Sequence, residues 1–234
     1  MKIVSRTHIG NVRASNQDSV LNEEASRLYG VADGMGGHNG GDIASQMAVL
    51  MLGRILESME PTEENLRTGF EQVNMLIFDE QKKDAILSGM GTTLTVLWET
   101  KDHILLGHIG DSRAYRMRSG KIEQLSLDHS VVGEMVRDGL ITEEQALQHP
   151  YRNVITQAVG TSETLNPDIK IIEKKKGDKF ILCSDGLYEY VSKAEMNELL
   201  MRLSPEDAAE QMIEKALQAG GKDNVTVLIA EVAL

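Results

Sequence analysis

The chain has 234 residues, with 24 Lys or Arg against 36 Asp or Glu, so its formal net charge is −12. Hydrophobic residues make up 41% and charged residues 26%, which excludes a disordered chain and allows a hydrophobic core. The acidic balance argues against nucleic acid as a partner, because clustered Lys and Arg hold phosphate backbones. The longest apolar run, residues 47–52, is far short of the ~20 residues that span a bilayer, and a lone cysteine, Cys183, suits a reducing compartment. We therefore expect a cytoplasmic protein without a membrane partner.

The strands are predicted by short apolar runs, and the absence of repeats or Pro/Ser-rich linkers predicts one domain over residues 1–234. In chain order these runs cover residues 28–32, 94–98, 104–109, 114–117, 180–183 and 225–232.

Two long helices are predicted between the first and second strands by apolar residues at helical spacing. Their apolar faces are formed by Ile43, Met47, Leu50 and Met51 in the first helix and by Leu66, Phe70, Val73 and Ile77 in the second.

Start and stop signals predict three shorter helices. Thr142 and Ser192 each begin a capping-box pattern, Ser204 precedes a proline at the first helical position, and residues 220–221 are a Gly-Gly pair that ends the last helix. Strand and helix do not alternate regularly, which disfavours a doubly wound parallel sheet. An α+β fold of antiparallel sheets packed with pairs of helices fits the order better.

Four aspartates lie beside the ends of apolar strands, and these are Asp33, Asp111, Asp185 and Asp223. Carboxylates that converge raise one another's pKa, and a hard divalent cation such as Mg²⁺ or Mn²⁺ would relieve the repulsion. Zinc is disfavoured, because the sequence lacks a Cys pair and a His-x-x-x-His pattern. Any one of these aspartates alone is also typical of an ordinary turn, so the joint pattern carries the hypothesis of a metal site.

Seven short motifs, in this order, resemble the metal-dependent protein serine/threonine phosphatases of type 2C in their compact bacterial form. They are Arg13-Ala-Ser-Asn-Gln-Asp18, Val31-Ala-Asp-Gly-Met-Gly-Gly-His38, Gly89-Met-Gly-Thr-Thr93, Gly107-His-Ile-Gly-Asp-Ser-Arg113, Asp128-His-Ser130, Cys183-Ser-Asp-Gly-Leu187 and Asp223-Asn-Val-Thr226.

The resemblance implies a fold of two packed antiparallel β-sheets flanked by helical pairs, with two Mn²⁺ or Mg²⁺ ions at the site. It implies that Asp33 bridges the ions and that the carbonyl of Gly34 binds one of them. Asp185 and Asp223 would complete the pair, and Asp111 would hold a third, looser ion together with Asp185. The water shared by the two ions would attack the phosphorus of phosphoserine or phosphothreonine.

The resemblance also implies roles for three residues that need not touch the ions. Asp18 would hold metal-bound water, and Arg13 would bind the substrate phosphate, although a solvated surface arginine is the alternative. His38 would bind water or donate the proton to the leaving group. Eukaryotic members of the family often place a histidine directly after the Asp-Gly pair, where this chain has Met35, so the general acid stays open.

Residues 129–160 correspond to the mobile flap of bacterial relatives, or else are ordinary connecting structure. The resemblance implies phosphoprotein substrates and a cognate bacterial Ser/Thr kinase, and we expect a monomer.

The sequence disfavours two other functions. A metallophosphoesterase of another lineage would need His and Asn ligand pairs that the sequence lacks, and a catalytically dead binding module would be expected to have lost carboxylates that are all present here.

Overall fold

The computed structural model describes residues 1–36 and 40–233 and contains two antiparallel sheets. The strands of the first sheet are, in spatial order, β1 (Lys2–His8), β11 (Val225–Glu231), β10 (Lys179–Cys183), β7 (Arg113–Arg118) and β8 (Lys121–Gln124). The strands of the second sheet are, in spatial order, β2 (Asp18–Glu23), β3 (Leu28–Met35), β5 (Leu94–Glu99), β6 (His103–Ile109) and β9 (Asp168–Glu173). The two-residue strand β4 (Gly91–Thr92) pairs with the end of β3.

A pair of helices covers the outer face of each sheet. The second sheet packs against α1 (Gly41–Leu56) and α2 (Glu63–Lys83), and the first sheet packs against α6 (Lys193–Arg202) and α7 (Pro205–Gln218). Side chains from both sheets form a third apolar cluster between them, which includes Tyr29, Leu97, Phe180 and Leu228. The expected four-layer α+β arrangement is confirmed.

Among the described residues, three short α-helices lie outside these layers. Two of them, α3 (Val131–Arg137) and α4 (Glu143–Leu147), follow β8, and the third, α5 (Asp185–Tyr188), follows β10. Within residues 1–36 and 40–233, no helix combines the length and apolar character that a membrane span requires.

The predicted helix signals are present. Thr142 and Ser192 form capping boxes, Ser204 caps α7 ahead of Pro205, and α7 ends just before Gly220 and Gly221, both of positive φ.

The predicted apolar face of α1 is confirmed for Met47 and Met51, which are half-buried against the core, and wrong for Ile43 and Leu50, whereas the predicted face of α2 is confirmed. Ile43 and Leu50 are exposed, whereas Ala44, Ala48 and Leu52 are fully buried. The buried stripe combines small residues, which let the helix approach the sheet closely, with Val49, Leu52 and Leu56.

Candidate metal and phosphate site

Two of the predicted aspartates face each other across the β2–β3 pair. Asp18 and Asp33 are direct partners in the antiparallel register, and Asp33 lies inside β3, which continues to Met35 instead of ending before the carboxylate. The backbone of Asp33 is fixed by two threonines: its N–H donates to Thr93 Oγ1 over 2.9 Å, and Thr92 Oγ1 donates to its carbonyl oxygen over 2.9 Å. These bonds hold the carboxylate at a rigid position.

Gly34 occupies a position where the backbone of another element approaches closely. A Cβ atom at Gly34 would lie 1.9 Å from the carbonyl oxygen of Gly41 and 2.8 Å from that of Gln17. The N–H of Gly34 also donates to the Gln17 carbonyl oxygen over 3.1 Å. Only glycine fits here, so this residue brings the end of β3 against the first turn of α1.

A buried serine connects the two sheets at Asp18. The Ser184 hydroxyl donates to Asp18 Oδ2 over 2.7 Å and accepts from the Thr226 N–H over 3.0 Å. Ser184 precedes Asp185, the first residue of α5. One hydrogen-bond chain thus links a carboxylate of the second sheet to the segment that carries a carboxylate of the first.

Arg13 and Asp223 form an ion pair at the exposed side of this group. Arg13 Nη2 lies 2.5 Å from Asp223 Oδ2, with 52% of the arginine side chain and 33% of the aspartate side chain exposed. Asp223 raises the pKa of the Arg13 guanidinium through their hydrogen bond. The second carboxylate oxygen, Asp223 Oδ1, accepts from the Asn224 N–H over 2.8 Å.

Asn224 is a site residue to which the sequence assigned no role. Its side chain accepts from the Gln17 N–H over 2.8 Å and donates to the carbonyl oxygens of Ile9 and Ser15 over 2.8 and 2.9 Å. These bonds fasten the loop that contains Arg13 to the start of β11. The signal was its position inside the Asp223-Asn-Val-Thr226 motif, but a buried asparagine that bonds three backbone groups cannot be recognised from sequence alone.

Asp111 lies at the flank of the cluster, after β6. Only 5% of its surface is exposed, and burial together with repulsion from Asp128 raises its pKa to about 7. Asp111 also contributes to the raised pKa values of Asp33 and Asp185, so it is close enough to belong to the same group of charges.

The electrostatics of the cluster favour a bound cation. Burial raises the pKa of Asp18 to about 6. Burial and the neighbouring carboxylates also hold the pKa values of Asp33 and Asp185 well above the usual range. Asp18 Oδ1 and Asp185 Oδ1 are buried and have no hydrogen-bond partner among the described residues. Buried carboxylate oxygens without partners are costly, and a divalent ion is a ligand that would satisfy them.

The residues fit a Mg²⁺ or Mn²⁺ ion that keeps some of its water ligands better than an ion that is coordinated only by protein atoms. Over residues 1–36 and 40–233, no three His, Cys, Asp or Glu side chains are grouped as a ready-made metal site. A hard cation of this kind keeps several of its waters and needs only one or two carboxylates, a demand that Asp33 and its neighbours can meet.

The predicted general acid, His38, lies outside the described residues. Two other histidines lie beside the cluster. His108 is fully buried and bonded to Thr95 and Leu127, and its pKa is lowered to about 3 by burial and by the nearby His129. His129 Nδ1 accepts from the Gly110 N–H over 3.2 Å. His129 therefore stabilises the turn that leads to Asp111, whereas His108 connects β6 to Thr95 of β5 and to the Leu127 carbonyl oxygen.

Comparison with known proteins gives a consistent result. The family model described as protein phosphatase 2C matches residues 6–229. The serine/threonine protein phosphatase PstP of Mycobacterium tuberculosis is 38% identical over 235 residues, which cover 99% of this chain but only 45% of PstP, so the chain spans about half the length of that relative. The serine/threonine phosphatase stp of Listeria monocytogenes is 36% identical over 236 residues, which cover 97% of this chain and 94% of that protein.

The similarity extends to the three-dimensional fold of solved structures. The crystal structure of the PstP catalytic domain in complex with two manganese ions superposes with a TM-score of 0.90 at 36% identity and covers 100% of this chain and 98% of that chain.

Proposed function

The chain belongs to the protein phosphatase 2C family, and we propose that it hydrolyses phosphoserine and phosphothreonine in proteins with Mn²⁺ or Mg²⁺ at the cluster around Asp33. The observation that carries this proposal is the convergence of buried and half-buried carboxylates from both sheets next to an exposed arginine. The superposed PstP domain was solved with two manganese ions, which supports the choice of cofactor.

Each carboxylate takes a part in holding the ions. Asp33 would hold both of them, the carbonyl of Gly34 would bind one, and Asp185 and Asp223 would complete the set. Asp111 and Asp185 would hold a third ion more weakly. When bound, the ions supply a water of lowered pKa and neutralise charge on the phosphoryl oxygens.

Three residues are proposed to act without binding an ion directly. Arg13 donates charge-assisted hydrogen bonds to the phosphate. To do so, its guanidinium gives up its bond to Asp223 Oδ2 and bonds a phosphoryl oxygen instead. Asp18 stays behind the ions, where its bond from Ser184 fixes its orientation. His38 remains proposed either to bind water or to donate the proton that the leaving alkoxide requires.

We propose that residues 1–234 act as one monomeric catalytic domain in the cytoplasm and that they reverse the work of a bacterial Ser/Thr kinase. Residues 129–160 act as the flap, which controls access of the phosphoprotein to the site. The likeness to relatives named serine/threonine phosphatase supports this role.

Hydrolysis of a phosphothreonine peptide and of an aryl phosphate tests the proposal. We expect turnover with Mn²⁺, loss of turnover with a chelator, and a loss of at least about 100-fold for Asp185→Ala. The matched control is Asp79→Ala, because Asp79 is an exposed aspartate on α2 that pairs only with Lys82 among the described residues. Turnover that survives both the chelator and Asp185→Ala would contradict the proposal.

A further inference from the structure

The C-terminal end of the 129–160 segment is bonded to the strand pair beside Asp33. The Thr92 N–H donates to the Val159 carbonyl oxygen over 3.0 Å, and the Val159 N–H donates to the Thr92 carbonyl oxygen over 2.8 Å. Thr92 belongs to β4, and its hydroxyl donates to the carbonyl oxygen of Asp33. One threonine therefore joins the end of the segment to the strand that carries Asp33.

Two amide side chains of α2 hold the next residue, Gly160. Asn74 Oδ1 accepts from the Gly160 N–H over 2.7 Å, and Gln81 Nε2 donates to the Gly160 carbonyl oxygen. Asn74 and Gln81 lie about two helical turns apart, on the same face of α2. Side chains of one helix thus bond both backbone polar groups of Gly160.

Gly160 also lies directly on the surface of α2. Its φ is +88°, and a Cβ atom there would lie 2.3 Å from Cγ2 of Ile77, which is about one turn away from each of the two amides. Both the backbone conformation and the close contact require glycine. The position of the chain relative to α2 therefore has little freedom at this residue.

The remaining groups of the two amides bond neighbouring loops. Asn74 Nδ2 donates to the Ser162 carbonyl oxygen over 2.9 Å, and Gln81 Oε1 accepts from the Gly89 N–H over 2.9 Å. Asn74 is only 1% exposed. Asparagine is a poorer helix former than leucine, and a buried amide is costly without hydrogen-bond partners. These bonds, and not helix formation or apolar packing, therefore account for an asparagine at this position.

The rest of the segment follows its C-terminal end, because its two ends are paired with each other. The Val131 N–H donates to the Val154 carbonyl oxygen over 2.9 Å, and the Thr156 N–H donates to the His129 carbonyl oxygen over 2.8 Å. The residues between these pairs, which include α3 and α4, therefore stand on a paired base. Gly160 attaches one side of this base to α2.

We propose that Asn74 and Gln81 are positioning residues that fix the C-terminal end of the 129–160 segment and, through it, set the affinity for a phosphoprotein substrate. The second part rests on the proposed function, in which this segment controls access to the site. Both amides act through Gly160, so their loss weakens the binding of a large substrate and leaves hydrolysis at the ions unchanged.

Hydrogen exchange of the full chain, measured by mass spectrometry, tests the first part without any turnover. Gln81→Met removes the bonds to Gly160 and Gly89 at nearly the same side-chain length, and it should speed exchange over residues 156–162 about 5- to 10-fold. Asn74→Ala should do the same. Because Gln81 is only half-buried, its variant keeps the test decisive if Asn74→Ala does not fold.

The matched control is Gln72→Met, which changes an exposed residue of α2 and should leave exchange unchanged. Steady-state kinetics test the second part. In Gln81→Met, the KM for a phosphothreonine peptide should rise about 3- to 10-fold with kcat nearly unchanged. Turnover of a small aryl phosphate, which is too short to reach the segment, should stay the same.

Unchanged exchange over residues 156–162 would overturn the proposal, and so would a rise of the same size in β5, because that pattern reports a loss of overall stability. An unchanged peptide KM, or an equal loss on the peptide and the aryl phosphate, would overturn the role in substrate binding. If the unchanged chain showed no turnover, the proposed phosphatase activity would fail, while the exchange result would still decide whether the two amides fix the segment.

Discussion

Arg13 and Asp223 are bonded to each other, yet each is proposed to bind a different ligand. Arg13 is proposed to bind phosphate and Asp223 a metal ion, and the 2.5 Å contact between them is exposed to solvent. An exposed pair of this kind contributes little to stability, so it can open when a ligand competes for either partner.

Arg13→Ala should lower kcat/KM about 10- to 100-fold, because a charge-assisted hydrogen bond contributes about 1.5–3 kcal/mol. Affinity for Mn²⁺ should not fall, because the substitution frees Asp223 Oδ2. Steady-state kinetics and a Mn²⁺ titration measure the two effects. Arg6→Ala, which breaks an exposed pair with Glu210, is the control and should leave both unchanged. A weaker Mn²⁺ affinity in Arg13→Ala would count against this assignment.

The ionisation of Asp18 lowers the stability of the fold by an amount that depends on pH. Burial raises its pKa in the folded chain to about 6, above the ~3.9 of an unfolded chain. The folded state therefore holds more protons between these values, and its stability falls as pH rises from about 4 to 6. Above pH 6 the whole penalty is present unless a cation offsets it.

Asp18→Asn should raise the free energy of unfolding by about 1–3 kcal/mol at pH 8 in a chelator, because the amide carries no charge and its oxygen can still accept from Ser184. At pH 4 the gain should nearly vanish. Denaturant unfolding at the two pH values measures it. A variant that is less stable than the unchanged chain at pH 8 would contradict this prediction, because it would show that protein groups already stabilise the charged Asp18 carboxylate.

At the scale of elements, four strands longer than two residues were not predicted from the sequence, and they are the edge strands of the two sheets. These are β1, β8, β2 and β9. An edge strand pairs on one side only and carries polar residues, as in β8, whose four residues are Lys, Ile, Glu and Gln. Apolar runs therefore revealed the central strands, while the edges depend on pairing partners far away in the sequence.

The residues of the site also divide into those that could be predicted from the sequence and those that could not. The carboxylates could be predicted because each adjoins an apolar strand. The Arg13–Asp223 pair and the three bonds of Asn224 could not, because they join residues about 210 positions apart and depend on where a loop crosses the sheet.

Gly186 tests how tightly α5 must pack. A Cβ atom there would lie 2.0 Å from the Asn224 carbonyl oxygen, so Gly186→Ala must displace either α5 or the backbone of Asn224, which are adjacent in sequence to Asp185 and Asp223. We expect a loss of about 1–3 kcal/mol in unfolding free energy and weaker Mn²⁺ binding.

Gly53→Ala is the control for Gly186→Ala, because its added methyl group would meet only side-chain atoms at 3.4 Å or more and alanine favours the helix. It should be neutral or stabilising by thermal unfolding. If Gly186→Ala behaved like Gly53→Ala, the close packing of α5 would not be needed.

At the scale of the whole molecule, the proposed site joins the two sheets. Asp18, Asp33 and Asp111 belong to the second sheet or its loops, whereas Asp185 and Asp223 adjoin strands of the first. An ion bound between them therefore stabilises the packing of the whole fold, by about 2.7 kcal/mol at a free concentration 100 times its Kd.

A calorimetric titration with Mn²⁺ at neutral pH, performed on the unchanged chain, on Asp33→Asn and on Asp79→Asn, tests the central claim most directly. We predict two tightly bound ions for the unchanged chain and for Asp79→Asn. Asp33→Asn should lose both together, because one carboxylate is proposed to serve the two ions. Two ions bound to Asp33→Asn with unchanged affinity would contradict the account.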